Sequence, residues 1–225
     1  TAHITNLGAA TRDDKVLGSG DIAALVGRTH RIIVEEKLDG ANMGIFISQN
    51  DNKIMVQNRS HFVSSNYHPQ FAPLDRWLAQ HTADLWAILT PGRHILYGEW
   101  LYATHSVKYT HLPAWFVAYD LYDRVTQQFA SREVLAALLA TTSIPHVPLI
   151  YDGHVETVEQ LKAFVYGGSA FNTERREGVV VRVCVGDRLL SRAKLVRSDF
   201  IAGNERWNKS AKLETNSLAP SAMMG

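Results

Sequence analysis

The segment that most constrains this chain is Val179-Val180-Val181-Arg182-Val183-Cys184-Val185, with five valines in seven positions. Valine is stiff at χ1 and packs well on a pleated surface, so the run predicts a buried strand. Gly186-Asp187 follows with turn chemistry, and Arg188–Val196 resumes an apolar pattern. Residues from Gly178 to Val196 therefore predict an antiparallel strand pair. Cys184, the single cysteine, reads as a buried strand residue and not as a nucleophile. It can form no internal disulfide, which sets the expectation of a reducing, cytoplasmic compartment.

Further strands are expected at Ile32-Ile33-Val34, Met43–Ser48, Lys53–Asn58, His94–Leu101 and Trp115–Tyr122. Gln49-Asn50-Asp51-Asn52 supplies hairpin turn chemistry between the second and third of these. Phe71 to Leu89 has apolar residues at helical spacing and stops at Pro91-Gly92. Ser131 can cap a second helix, and Thr157 with Gln160 forms a capping box for a third, closed by Gly167-Gly168. The first thirty residues read as irregular, with a short helix near 22–26, and those after Arg197 as a helix and a loose tail. Strands outnumber helices without regular alternation, so the fold class is α+β with mainly antiparallel sheets.

A chain of 225 residues predicts one large domain, or one domain with a small appendage. Hydrophobic residues at 46% and charged residues at 20% exclude a disordered chain and a collagen. A net charge of +1 supplies no global basic field, so a nucleic-acid partner would need a local patch. No run of 18 apolar residues suggests a membrane span, and the Thr1-Ala2-His3-Ile4 start has no signal-peptide pattern. Thr1 suggests a removed initiator or a trimmed chain.

Four constellations carry potential chemistry. Glu36-Lys37-Leu38-Asp39-Gly40 places a lysine at a strand end before a turn. An ordinary surface turn has the same pattern, and Lys-x-Asp-Gly arises by chance in about one chain in twenty of this length. Tyr97-Gly98-Glu99-Trp100 puts a carboxylate in an apolar strand, which is costly unless it is paired, bound to a ligand or facing water at an edge. Glu177 opens the valine-rich strand. Arg192 and Lys194 share one face of the last strand. Between Arg175 and Arg197 there are seven Lys/Arg and two Asp/Glu, a local basic patch.

In this order, the four constellations and the aromatic strand between Glu99 and Glu177 resemble the covalent nucleotidyltransferases: DNA ligases, RNA ligases and messenger-RNA capping enzymes. Lys37-x-Asp-Gly-x-Asn42, Gln57-Asn58-Arg59-Ser60, Gly98-Glu99-Trp100-Leu101-Tyr102-Ala103-x-His105-Ser106-Val107 and Lys194-Leu195-Val196-Arg197-x-Asp199-Phe200 are similar to segments of the RNA ligase 2-like group. The resemblance covers most of residues 12–207.

The resemblance implies a nucleotidyltransferase fold and an ATP-dependent RNA ligase. Lys37 would attack the α-phosphorus of ATP, giving lysyl-AMP. The AMP would pass to a 5′-phosphate, and a 3′-hydroxyl would displace it. Arg59, Arg192 and Lys194 would disfavour the protonated form of Lys37 and neutralise phosphate charge. Glu177 would hold Mg²⁺ or Mn²⁺, directly or through water. Glu99 and Arg59 would contact the ribose, Phe116 would stack on adenine or serve as core, Asn42 would assist catalysis, and the backbone at Glu35 and Glu36 would contact the base. The partner would be RNA, including nicked duplex or RNA–DNA hybrid ends.

Three departures accompany the resemblance. Asp39 stands where the RNA ligase 2-like group often has His, and Arg192 where the usual residue is Lys. Only 31 residues follow Lys194, so the expected organisation is an adenylyltransferase domain over 1–207 and a tail over 208–225, without an OB-fold domain. A DNA nick-sealing enzyme, a capping enzyme and a non-catalytic end-binding module are the alternatives.

Overall fold

The computed structural model describes residues 2–3, 22, 25–197 and 213–223. These form two compact units. The first contains the described residues up to Asp39, His105–Val107, and those from 147 to 197. The second contains Gly40–Thr104, Lys108–His146 and residues 213–223. Each is built on one five-stranded sheet.

In the first unit the strands are β1 (Ala2–His3), β2 (Gly27–Lys37), β8 (Leu149–Val155), β9 (Gly178–Val185) and β10 (Arg188–Val196). Their order is β1-β10-β9-β2-β8, antiparallel except where β1 meets β10. Alternation puts Ile32, Val34, Val179, Val181, Val183, Ala193 and Leu195 on one buried face. Leu161 and Val165 of helix α3 (Val158–Val165) belong to the same core. The expected capping box starts this helix, with Thr157 accepting from the Gln160 N–H and Gln160 accepting from the Thr157 N–H.

The opposite face of this sheet carries Glu35, Lys37, Arg182, Arg192 and Lys194, by the same alternation and the cross-strand register. Cys184 shares the parity of Arg182 and is half-exposed, contrary to the buried expectation. Val185, at the hairpin end, is exposed. Strand β8 escaped the sequence reading because only Val155 of its seven residues is buried, which hides the apolar alternation.

In the second unit the strands are β3 (Ala41–Ile47), β4 (Ile54–Gln57), β5 (His94–Trp100), β6 (Phe116–Asp123) and the two-residue β7 (Gln128–Phe129). Their order is β4-β3-β5-β6-β7, antiparallel throughout. Met43, Ile45, Ile47, Leu96, Trp100 and Phe116 share a core with Leu74, Trp77 and Leu85 of α1 (Leu74–Ile88) and with Leu135 and Leu139 of α2 (Arg132–Leu139). Ser131 caps α2 by accepting from the Val134 N–H at 3.3 Å. Phe71, expected to begin the first long helix, instead closes a 3₁₀ turn over Pro69–Phe71. Pro73 is the N-cap of α1, with φ −84° and ψ 7°, and the helix starts only at Leu74.

Residues 213–223 are not a loose tail. Asn216 is buried, and its Oδ1 accepts from the Tyr109 N–H and the Thr104 hydroxyl, both at 2.9 Å. Its Nδ2 donates to the Leu101 and Ala103 carbonyls at 2.7 and 3.1 Å. A buried amide satisfied on both sides fixes the segment. The helix expected after Arg197 lies outside the described residues, as does most of the first thirty. Of the helix expected near 22–26, Ile22 is helical and accepts from the Leu25 N–H. No helix among the described residues is long and apolar enough to cross a membrane.

Gly98 and Gly178 are close-approach positions. A Cβ on Gly98 would meet the Val117 carbonyl at 2.5 Å and the Phe116 ring. One on Gly178 would run into the Leu195 carbonyl and stand 2.9 Å from the Val196 Cα. Gly178→Ala should therefore cost about 1–3 kcal/mol in denaturant unfolding. Gly168→Ala should change stability by less than about 0.5 kcal/mol, since its nearest neighbour is a carbonyl at 4.0 Å. Asp84 Oδ2 accepts from the Ser143 hydroxyl at 2.6 Å and the Ser143 N–H at 2.9 Å, which holds its carboxyl below the ordinary 3.8. A depressed carboxylate adds stability above its unfolded value and loses it as pH falls through its folded value. Asp84→Asn should be less stable than wild type at pH 7, and unfolding curves at falling pH should show that deficit shrink as Asp84 becomes protonated in the folded protein.

Candidate functional site

Lys37 ends β2 on the polar face of the first sheet, in register with Gly178. Its Nζ donates to Glu177 Oε1 at 2.5 Å. The two side chains are 25% and 5% exposed, so this is a nearly dry ion pair with one open side at the lysine. Burial pushes the Glu177 carboxyl up to about 7; Lys37 opposes this, Asp39 adds to it and Lys194 opposes it more weakly. Glu177 Oε2 is buried and has no hydrogen-bond partner.

Asp39 does more than make a turn. Its Oδ2 accepts from the Ser106 N–H at 2.6 Å and the Val107 N–H at 2.8 Å, docking His105-Ser106-Val107 beside the end of β2 that carries Lys37. Burial lowers the affinity of His105 for a proton, with Asp39 opposing and Lys37 reinforcing that effect. The sequence reading assigned neither residue a part here, because the two contacts span 67 and 68 residues.

Arg182 and Glu35 form a buried ion pair on the same polar face, 4% and 1% exposed. Removing either partner would strand a buried charge, at about 3–5 kcal/mol. Arg192 stands opposite Arg182, and Lys194 opposite Val180, whose other neighbour is Glu35. The sequence reading passed over Arg182, although a cation inside an apolar run is the same signal that singled out Glu99. Glu36 has the opposite parity. Its Oε2 accepts from the Ala170 N–H at 2.8 Å, and its own N–H donates to the Pro148 carbonyl at 3.0 Å.

The remaining candidates belong to the second unit. Asn42 and Glu99 are cross-strand partners on β3 and β5, both on the face away from the core. Glu99 is on an interior strand, so the edge-strand alternative fails; its Oε1 accepts from the Gly40 N–H at 3.0 Å. Asn42 donates to the Tyr119 hydroxyl. Arg59 is exposed at a hairpin tip. Phe116 has no exposed surface and its ring lies 5.2 Å from that of Trp77 inside the core. Of its two expected roles, the core role is the one this packing supports, since a fully buried ring presents no open face to a base.

The described residues contain no cluster of three His, Cys, Asp or Glu side chains suited to a metal. Mg²⁺ and Mn²⁺ bound with a nucleotide need no such cage, because waters and phosphate oxygens complete the shell around one or two carboxylates. The unpartnered Oε2 of Glu177 fits that requirement.

No curated protein matches the chain at sequence level. Among solved structures, a lysine-to-alanine mutant of Naegleria gruberi RNA ligase with ATP and Mn superposes with a TM-score of 0.63 at 20% identity, over 87% of this chain and 54% of that one. A second lysine-to-alanine mutant with ATP and Mn gives 0.62 at 21%, over 79% and 52%. The same ligase with pyrophosphate gives 0.63 at 21%, over 87% and 54%. At this identity the likeness establishes the fold, and the chain spans about half the length of these ligases. The family model for RNA ligase matches residues 30–196, through both sheets and the Lys37, Glu99, Glu177 and Lys194 positions, and the chain belongs to the RNA ligase family.

Proposed function

We propose that this chain carries the nucleotidyl-transfer chemistry of an ATP-dependent RNA ligase, acting through a lysyl-AMP intermediate. The observation that carries this reading is the pairing of Lys37 with the buried carboxyl of Glu177 at the end of a sheet face that also bears Lys194 and Arg192. Lys37 Nζ attacks the α-phosphorus as the free amine. A phosphorus–nitrogen bond forms, the bond to pyrophosphate breaks, and the lysine proton leaves to solvent. Lys194 and Arg192 disfavour a third positive charge on their face and so favour the free amine. They also stabilise the charge that builds on the phosphoryl oxygens.

Glu177 Oε2 would hold the divalent ion, which supplies further charge neutralisation at the phosphates. Glu99 would accept from a ribose hydroxyl, and Asn42 would assist catalysis. The AMP then moves to a 5′-phosphate, and a 3′-hydroxyl attacks that phosphate and releases AMP. The RNA ligase family match and the ATP, Mn and pyrophosphate complexes named for the structural neighbours support ATP, a divalent cation and RNA ends as the reactants.

Incubation with α-labelled ATP and Mg²⁺ or Mn²⁺ should add one AMP to the protein by intact mass, and pyrophosphate should remove it. Lys37→Ala should abolish the label while keeping the native circular dichroism. Label retained in that variant would move the nucleophile elsewhere, and label from GTP in place of ATP would indicate a capping enzyme. Glu177→Gln should slow labelling by on the order of a hundredfold or more, the loss typical for a group that stabilises transition-state charge. Sealing of an RNA nick should exceed that of an all-DNA nick; equal rates would select the DNA-ligase alternative, because 2′-hydroxyls distinguish the two.

A further inference from the structure

A groove of about 500 Å³ opens on the second unit, lined by Gln57, Asn58, Arg59, Ser60, His61, Phe62 and Tyr67. Its floor is a tight hairpin. Gln57 bridges Phe62, and the Val63 N–H donates to the Val56 carbonyl at 2.9 Å. At the tip, Asn58 Oδ1 accepts from the Ser60 and His61 N–H groups at 3.0 and 2.8 Å. The tip is therefore held by its own hydrogen bonds, and Arg59, Ser60 and His61 are presented outward.

Two large rings line this groove with much of their surface in water, Phe62 at 63% and Tyr67 at 48% exposed. Each is anchored at its base. Phe62 leans on buried Phe46 at 6.2 Å, whose ring also takes the Arg124 guanidinium at 4.6 Å. Tyr67 leans on buried Phe71 at 6.2 Å and lies 6.1 Å from the His61 ring. Two anchored, open rings, an exposed guanidinium, and amide and hydroxyl groups in a groove of this size match one nucleotide. Rings stack on a base, the cation meets a phosphate, and the polar groups reach base edges. An apolar peptide would use the rings but leave the arginine and the amides unmatched.

We infer that this groove seats an unpaired nucleotide of the RNA strand to be joined, with its base against Phe62 and Tyr67 and its phosphate at Arg59. The inference deepens the ligase reading and rests on it for the identity of the strand. It assigns Arg59 to the RNA strand in place of the ATP ribose contact that the family resemblance implies for it.

The test uses the whole chain and a 5′-phosphorylated single-stranded RNA 12-mer carrying 2-aminopurine at one end or the other. Binding should quench the fluorophore at one of the two ends, as stacking does. Phe62→Ala and Tyr67→Ala should each weaken RNA binding by about tenfold or more and remove the quenching, while lysyl-AMP formation stays within twofold of wild type. Tyr67→Phe should retain binding, and Phe62→Leu should lose it, which separates stacking from mere apolar contact. An abasic nucleotide at the quenched end should bind wild type as weakly as the ring variants bind intact RNA. Unchanged RNA affinity in both alanine variants overturns the inference. So does a parallel fall in lysyl-AMP formation, which would assign the groove to ATP. Wild-type protein that binds and quenches the RNA but never forms lysyl-AMP would overturn the ligase reading and leave this site standing.

Discussion

Strand β2 is paired to β9 so that Lys37 lies across from Gly178, and the placement of the first unit's charged side chains depends on that register. A one-residue slip would turn Lys37 and Glu35 into the valine core and expose Ile32 and Val34. The apolar face prevents the slip, because Ile32, Val34, Val179, Val181 and Val183 are all buried on it. The same alternation then delivers Glu35, Lys37, Arg182, Arg192 and Lys194 to the other face without further instruction. Gly178 admits the close approach of Leu195 and Val196, which draws Glu177 in beside the lysine.

Charge on this face is arranged in two ways. Arg182 is neutralised in place by Glu35, so it serves as fixed structure under the site. Lys37 is paired with a carboxyl whose burial works against its ionised state. Asp39 adds the third element by spending its carboxylate on two backbone N–H groups, which ties a segment from the middle of the chain to the Lys37 end of β2.

Much of this was legible from local pattern. The hairpin at Gly186-Asp187, the Ser131 cap and the Thr157–Gln160 capping box each arise from contacts within a few residues, and each formed where the pattern placed it. The family resemblance rested on short segments whose spacing is a linear property. Other features stayed hidden for identifiable reasons. Strand β8 has a polar, glycine-containing alternation with little burial. Cys184 was misjudged because a run of valines conceals parity. The anchoring of residues 213–223 depends on Asn216 reaching carbonyls more than a hundred residues away.

The sequence by itself determined most of the strands, the caps and the strand-end place of Lys37, because these follow from periodicity and nearest neighbours, and its short linear motifs carried the family resemblance. Tertiary structure decided which charges are partnered and which are available. Phe116 is closed into the core, while Phe62 and Tyr67, two rings of the same apolar character, are left open. Arg182 is quenched by Glu35, while Arg59 faces water. Burial and partner choice are set by elements distant in the chain, and a residue's own type carries no record of which of them it will meet.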